Sequence, residues 1–147
     1  MKKIIIALAV VVFMLGNTAF AHGKEIDKRV RQVFEKEFTG AVDITWYTLE
    51  EFYRVDFTFN STHLVAYYNH GGEMLTLVRN IPFSVLPVML QFDLRKNYKD
   101  YWITEIYEFS SPDGTEYRLT IENADVVIRL NSGRDNEWKF AGKEIKK

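Results

Sequence analysis

"FYRVDFTFN", residues 52–60, is the stretch on which the fold turns. Tyr53, Val55, Phe57 and Phe59 alternate with Arg54, Asp56 and Thr58, so one side is apolar and the other polar. A period of two built from aromatic and β-branched residues is the pattern of a strand wet on one side. "YRLTIEN", residues 117–123, repeats the stretch further along the chain. The elements on either side decide whether that recurrence is accidental.

Residues 24–38 carry Ile26, Val30, Val33, Phe34 and Phe38 at spacings of three and four, with Lys28, Arg29, Arg31, Glu35 and Lys36 between them. That spacing gathers the apolar side chains on one stripe of a helix. Thr39-Gly40 ends it, because Gly40 is free to take a left-handed conformation. "VDITWYT" (42–48) reads as a strand with Val42, Ile44 and Trp46 on one face. "HLVAYY" (63–68) and "EMLTLV" (73–78) read as two more strands. The links Leu49-Glu50, Asn60-Ser61 and His70-Gly71-Gly72 are short, which predicts antiparallel neighbours.

The same order then starts again. "SVLPVMLQFDLRKNY" (84–98) predicts a second helix, with Ser84 as its cap, Pro87 in its first turn, and Leu90, Leu94 and Tyr98 at every fourth position. Strands follow at "WITEIYEF" (102–109), "EYRLTIE" (116–122), "DVVIRLN" (125–131) and "EWKFAGK" (137–143). Pro112-Asp113-Gly114 and Asn131-Ser132-Gly133 supply turn chemistry. In register, Phe34 and Phe38 match Leu94 and Tyr98, Gly40 matches Asp100, Trp46 matches Ile106, and "YNHGGEM" matches "LNSGRDNEW". A self-similarity of about sixty residues indicates a duplicated unit. The predicted fold is α+β: two tandem α-β-β-β-β repeats, about 24–80 and 84–147, forming one antiparallel sheet with both helices on one face. The opposite face is left open.

The first residues, "MKKIIIALAVVVFMLGNTAFAHG", have a basic start at Lys2-Lys3, an apolar run from Ile4 to Leu15, and the small-x-small ending Ala19-Phe20-Ala21. These are the parts of a secretory signal peptide, expected as residues 1–21, leaving a single domain at 22–147. The expected address is the periplasm or the cell exterior. Lys2 and Lys3 are two of the 19 basic residues and none of the 20 acidic ones precedes His22, so the exported chain carries a net charge of −3. That balance gives no general attraction for nucleic acid or anionic lipid. With no cysteine, the domain has no disulfides and no lipoprotein attachment point, so a soluble product is expected, with no membrane insertion after cleavage.

The residues resemble the PepSY-like family of exported bacterial proteins, whose fold is similar to that of the β-lactamase inhibitor protein. The matching elements are Val30, Phe34, Phe38 and Gly40 as V-x-x-x-F-x-x-x-F-x-G, then Trp46, the alternation Tyr53 to Phe59, and Ala66-Tyr67-Tyr68. Gly71-Gly72, Ile81 with Leu86-Pro87, and Tyr98 complete the set, which covers nearly the whole exported chain. The departures are Thr39 where proline is usual, Asn69-His70-Gly71 where aspartate precedes glycine, and Lys99-Asp100 in place of Pro-Gly. The resemblance implies export and a binding or inhibitory role. It assigns no functional residues.

No catalytic constellation stands out. His70 has only Asn69 and Glu73 as local partners, and no nucleophile turn accompanies it, so it reads as a hairpin turn residue. Asp113-Gly114 with Glu116, and Asp135 with Glu137, lack the ordered oxygens of a calcium loop. Glu50 with Glu51 and Glu105 with Glu108 read as solvated charge rather than a glycosidase pair. Alternation places Tyr53, Phe57, Phe59, Tyr68 and Tyr117 beneath the helices. It places Tyr47, Tyr67 and Tyr107 on the opposite face with Arg54, His63 and Arg118. Tyrosine and arginine together on an open sheet are the residues that carry interface energy. The expected function is therefore non-enzymatic binding of a protein or peptide partner in the cell envelope or exterior, without a cofactor. A small-ligand or copper carrier is the competing reading, with an N-terminal His22 and either His63 or His70 as ligands.

Overall fold

A computed structural model describes residues 25–147; the signal segment expected at 1–21 and His22 lie outside the described residues. The order is α1 (Lys28–Glu37), β1 (Val42–Thr48), β2 (Phe52–Phe59), β3 (Thr62–Asn69), β4 (Met74–Asn80), a 3-10 turn (Phe83–Val85), α2 (Val88–Asn97), β5 (Trp102–Ser111), β6 (Gly114–Glu122), β7 (Val126–Ser132) and β8 (Lys139–Ile145). The eight strands form one sheet in sequence order, and every neighbouring pair is antiparallel.

Helix α1 starts later than its apolar stripe suggests. The Asp27 carboxylate accepts from the Arg29 N–H at 2.8 Å and caps the first turn. At α2 the expected cap is different: Ser84 sits in the 3-10 turn, and Pro87 occupies the N-cap position without a side-chain bond. The reason is steric. Proline pushes the residue before it out of the helical region, and Leu86 is extended at ψ 146°.

Each helix covers half of one sheet face. Val30, Phe34 and Phe38 of the α1 region pack on Tyr53, Val55, Phe57, Ala66 and Tyr68. Phe57 meets Phe34 edge-on at 4.9 Å and Phe38 at a tilt at 4.7 Å. Leu90 and Leu94 of α2 pack on Ile106, Leu119, Ile121 and Leu130. Leu77 of the first core lies opposite Ser110, which shares the side of Ile106, so both helices cover the same face.

The duplication extends to the irregularities. Both helices close with the N–H of an aromatic residue, Phe38 or Tyr98, donating to a carbonyl one turn back, Phe34 or Leu94. β1 and β5 each carry a bulge near their start, and β4 and β8 each shift register against the preceding strand. The β1 bulge corrects the expected placement of two residues: Asp43 turns left-handed at φ 55°, Val42 pairs with Thr58 of the open face, and Val42 and Ile44 are exposed while Trp46 packs on the core. The strand pairing also corrects one alignment. Arg54 faces Tyr67, and Arg118 faces Asn131, so Tyr67 and Tyr68 are the counterparts of Asn131 and Ser132.

Candidate functional site

The face without helices carries its own apolar cluster. Phe52, Tyr67, Val78 and Phe109 are buried there, with Leu49, Val65, Leu75 and Tyr107 packed around them. Strand register builds it. Tyr47 lies across from Arg54, Arg54 from Tyr67, and Tyr67 from Thr76. Val78 lies across from Phe109, and Tyr107 from Arg118. Phe52 meets Tyr67 edge-on at 5.7 Å. The cluster therefore straddles β2–β5, where the two repeats join.

The six residues expected on this face all lie on it, at unequal exposure. Tyr47, Arg54, Tyr107 and Arg118 are half-buried, and His63 is exposed near one end of β3. Tyr67 is only 4% exposed, so its ring is part of the floor and not a free contact. Its hydroxyl makes no hydrogen bond among the described residues. The one sealed, unpartnered side-chain atom among them is Ser132 Oγ, so the Tyr67 hydroxyl reaches solvent. Burial raises the Tyr67 phenol above its ordinary value, with the Arg54 and Arg118 charges opposing that rise from either side.

The two arginines differ. Arg54 donates through Nε and Nη2 to both oxygens of Asp56, at 2.6 and 2.7 Å, and its guanidinium carbon lies 5.1 Å from the Tyr47 ring centroid. Burial disfavours its charge, yet the Asp56 bonds and charge leave its pKa raised. Arg118 lies over the Phe109 ring, its guanidinium carbon 4.4 Å from the ring centroid. It forms no ion pair or hydrogen bond among the described residues. Burial dominates there and lowers its pKa, against weaker support from Glu116 and Tyr67.

Other candidate chemistry is dispersed. His63 and His70 lie at opposite ends of β3, separated by seven residues of extended chain, roughly 23 Å. They cannot share one metal ion. His70 Nε2 lies 3.2 Å from the Glu50 carbonyl oxygen, and its ring meets Tyr53 edge-on at 4.7 Å. Asn69 Oδ1 accepts from the Gly71 and Glu73 N–H groups, so "NHGG" is a hairpin turn. No group of three or more His, Asp or Glu side chains suited to a metal occurs among the described residues. Glu108 is paired with Arg79 at 2.8 Å on the helix side, and Glu105 lies on the opposite face. Among the described residues no helix is long and apolar enough to cross a membrane.

Three of the four buried residues of the cluster were not singled out from the sequence. Phe52 and Phe109 share strand parity with Arg54 and Tyr107, which was a legible signal. Val78 was not distinguishable from a core residue.

No family model matches the sequence, and no curated protein sequence matches it. Solved structures do resemble the fold. A BLIP-like protein from Bacteroides fragilis superposes with a TM-score of 0.67 at 12% identity, covering 84% of this chain and 89% of that one. A DUF2874 family protein from Bacteroides ovatus gives 0.69 at 12% identity, with the same coverage. A protein provisionally placed in the periplasm, from Bacteroides eggerthii, gives 0.70 at 11% identity, covering 83% and 90%. The chain therefore has a BLIP-like α+β fold.

Proposed function

We propose that this chain is a non-enzymatic exported binding module whose open sheet face receives a protein or peptide in the periplasm or cell exterior. One observation carries the reading: a buried apolar cluster on the face that no helix covers, rimmed by half-buried Tyr47, Arg54, Tyr107 and Arg118. A solvated sheet face has no need of a second core. Interfaces combine an apolar centre with aromatic and arginine side chains around it. The BLIP-like fold supports a narrower version, inhibition of an envelope or secreted hydrolase.

The test uses the exported chain, residues 22–147, as bait in envelope and secreted fractions, with crosslinking and mass spectrometry. The same proteins must be enriched by wild type and by Phe92→Ser, which changes the exposed side of α2. They must be lost with the double variant Arg54→Ala, Tyr107→Ala. Enrichment that survives the double variant and fails with Phe92→Ser would place binding on the helix side and overturn the reading.

A further inference from the structure

The two repeats place an arginine at equivalent positions of β2 and β6, and of these two only Arg54 is bonded to a carboxylate among the described residues. Arg54 and Arg118 each follow a tyrosine, and each lies across from the first strand of its own repeat, at Tyr47 and Tyr107. Two residues along, the first repeat has Asp56, which lies across from Thr45 just past the β1 bulge. The second repeat has Thr120, which lies across from Glu105 just past the β5 bulge. The structural counterpart of Asp56 is therefore Thr120, and Arg118 lacks the partner that Arg54 holds by two bonds.

Arg118 is not an ordinary solvated arginine. It is half-buried, with its guanidinium over the Phe109 ring at the edge of the apolar cluster and Tyr107 across from it. Glu116 acts on it only through space, beyond ion-pair distance. An unbonded guanidinium over an apolar floor is complementary to a carboxylate, whose two oxygens can accept two N–H groups along one guanidinium edge. From this geometry we infer that Arg118 receives an aspartate or glutamate side chain of the protein partner. The Asp56–Arg54 pair is the internal copy of that contact. This rests on the open face being the binding surface, and it fixes the chemistry of the partner at one point: an acidic residue beside apolar ones.

The probe is a set of dodecapeptides selected from a random display library on the exported chain. Each is resynthesised with its acids changed to amides. Arg118→Gln and amidation of one shared acid should each weaken binding by about tenfold or more, the worth of a charge-assisted hydrogen-bond pair. The two losses should not add when combined. Thr120→Asp, which supplies the missing carboxylate internally, should cause a similar loss while leaving Arg118 in place. Peptides that lose binding with Tyr107→Ala but ignore amidation, Arg118→Gln and Thr120→Asp would overturn this inference and keep the open-face reading. Failure to select any peptide sensitive to Tyr107→Ala would overturn both.

Discussion

At the scale of single residues, the two arginines of the open face predict different stability effects. Arg54→Gln leaves the half-buried Asp56 carboxylate without either of its bonds, and should cost about 1–3 kcal/mol. Arg118→Gln removes stacking on Phe109 but orphans no partner, and should cost about 0.5–1 kcal/mol. Urea unfolding of both variants checks the order. Tyr68 gives a pH prediction. Its hydroxyl donates to Glu37 Oε2 at 2.7 Å, and burial, then that bond, raise its pKa well above the ordinary 10.0. The folded state thus favours the protonated phenol. The stability it contributes is present below pH 10 and is lost as pH rises beyond that value, where the unfolded chain ionises. Melting curves should fall above pH 10, and Tyr68→Phe should make the fall shallower.

At the scale of elements, each local rule has a residue behind it. Gly40 sits at φ +90° just beyond α1, where a Cβ meets no neighbour, so Gly40→Ala isolates backbone strain. It should cost about 1 kcal/mol or slightly more, read from denaturant midpoints at unchanged slope. Phe57 is fully buried among the rings of Phe34 and Phe38, and Phe57→Ala should cost about 3–5 kcal/mol. The outer side of α2 behaves oppositely. Phe92 is 63% exposed, and Phe92→Ser should change stability by no more than about 0.5 kcal/mol. Helix periodicity identified Leu90 and Leu94 as buried, but Pro87 decided where the helix begins. That needed the steric effect of proline on Leu86 rather than the capping preference of Ser84.

At the scale of the whole molecule, the duplication was legible because each repeat carries the same order of periods, and the sheet follows that order. The face of each strand was legible wherever alternation runs unbroken, as from Tyr53 to Phe57. It failed where a bulge intervened: the extra residue at Asp43 exposes Val42 and Ile44, and no residue type in "VDITWYT" announces it. The open face was legible in outline, since Tyr47, Arg54, Tyr67, Tyr107 and Arg118 share it. The burial of Tyr67 was not, because it depends on Phe52 and on Phe109, which β4–β5 pairing brings from the other repeat. Non-local packing of that kind leaves no trace in local periodicity. The same junction explains why an apolar cluster arises on this face: neither repeat alone has this floor.

The measurement closest to the central claim is site-specific photocrosslinking in the living cell, with a photoreactive phenylalanine at position 107 on the open face or at 92 on the outer side of α2. Binding on the open face predicts a discrete adduct to another protein from position 107, abolished by Arg118→Gln, and none from position 92. A discrete adduct from position 92 with none from 107 would contradict it, and would move the interface to the helix side.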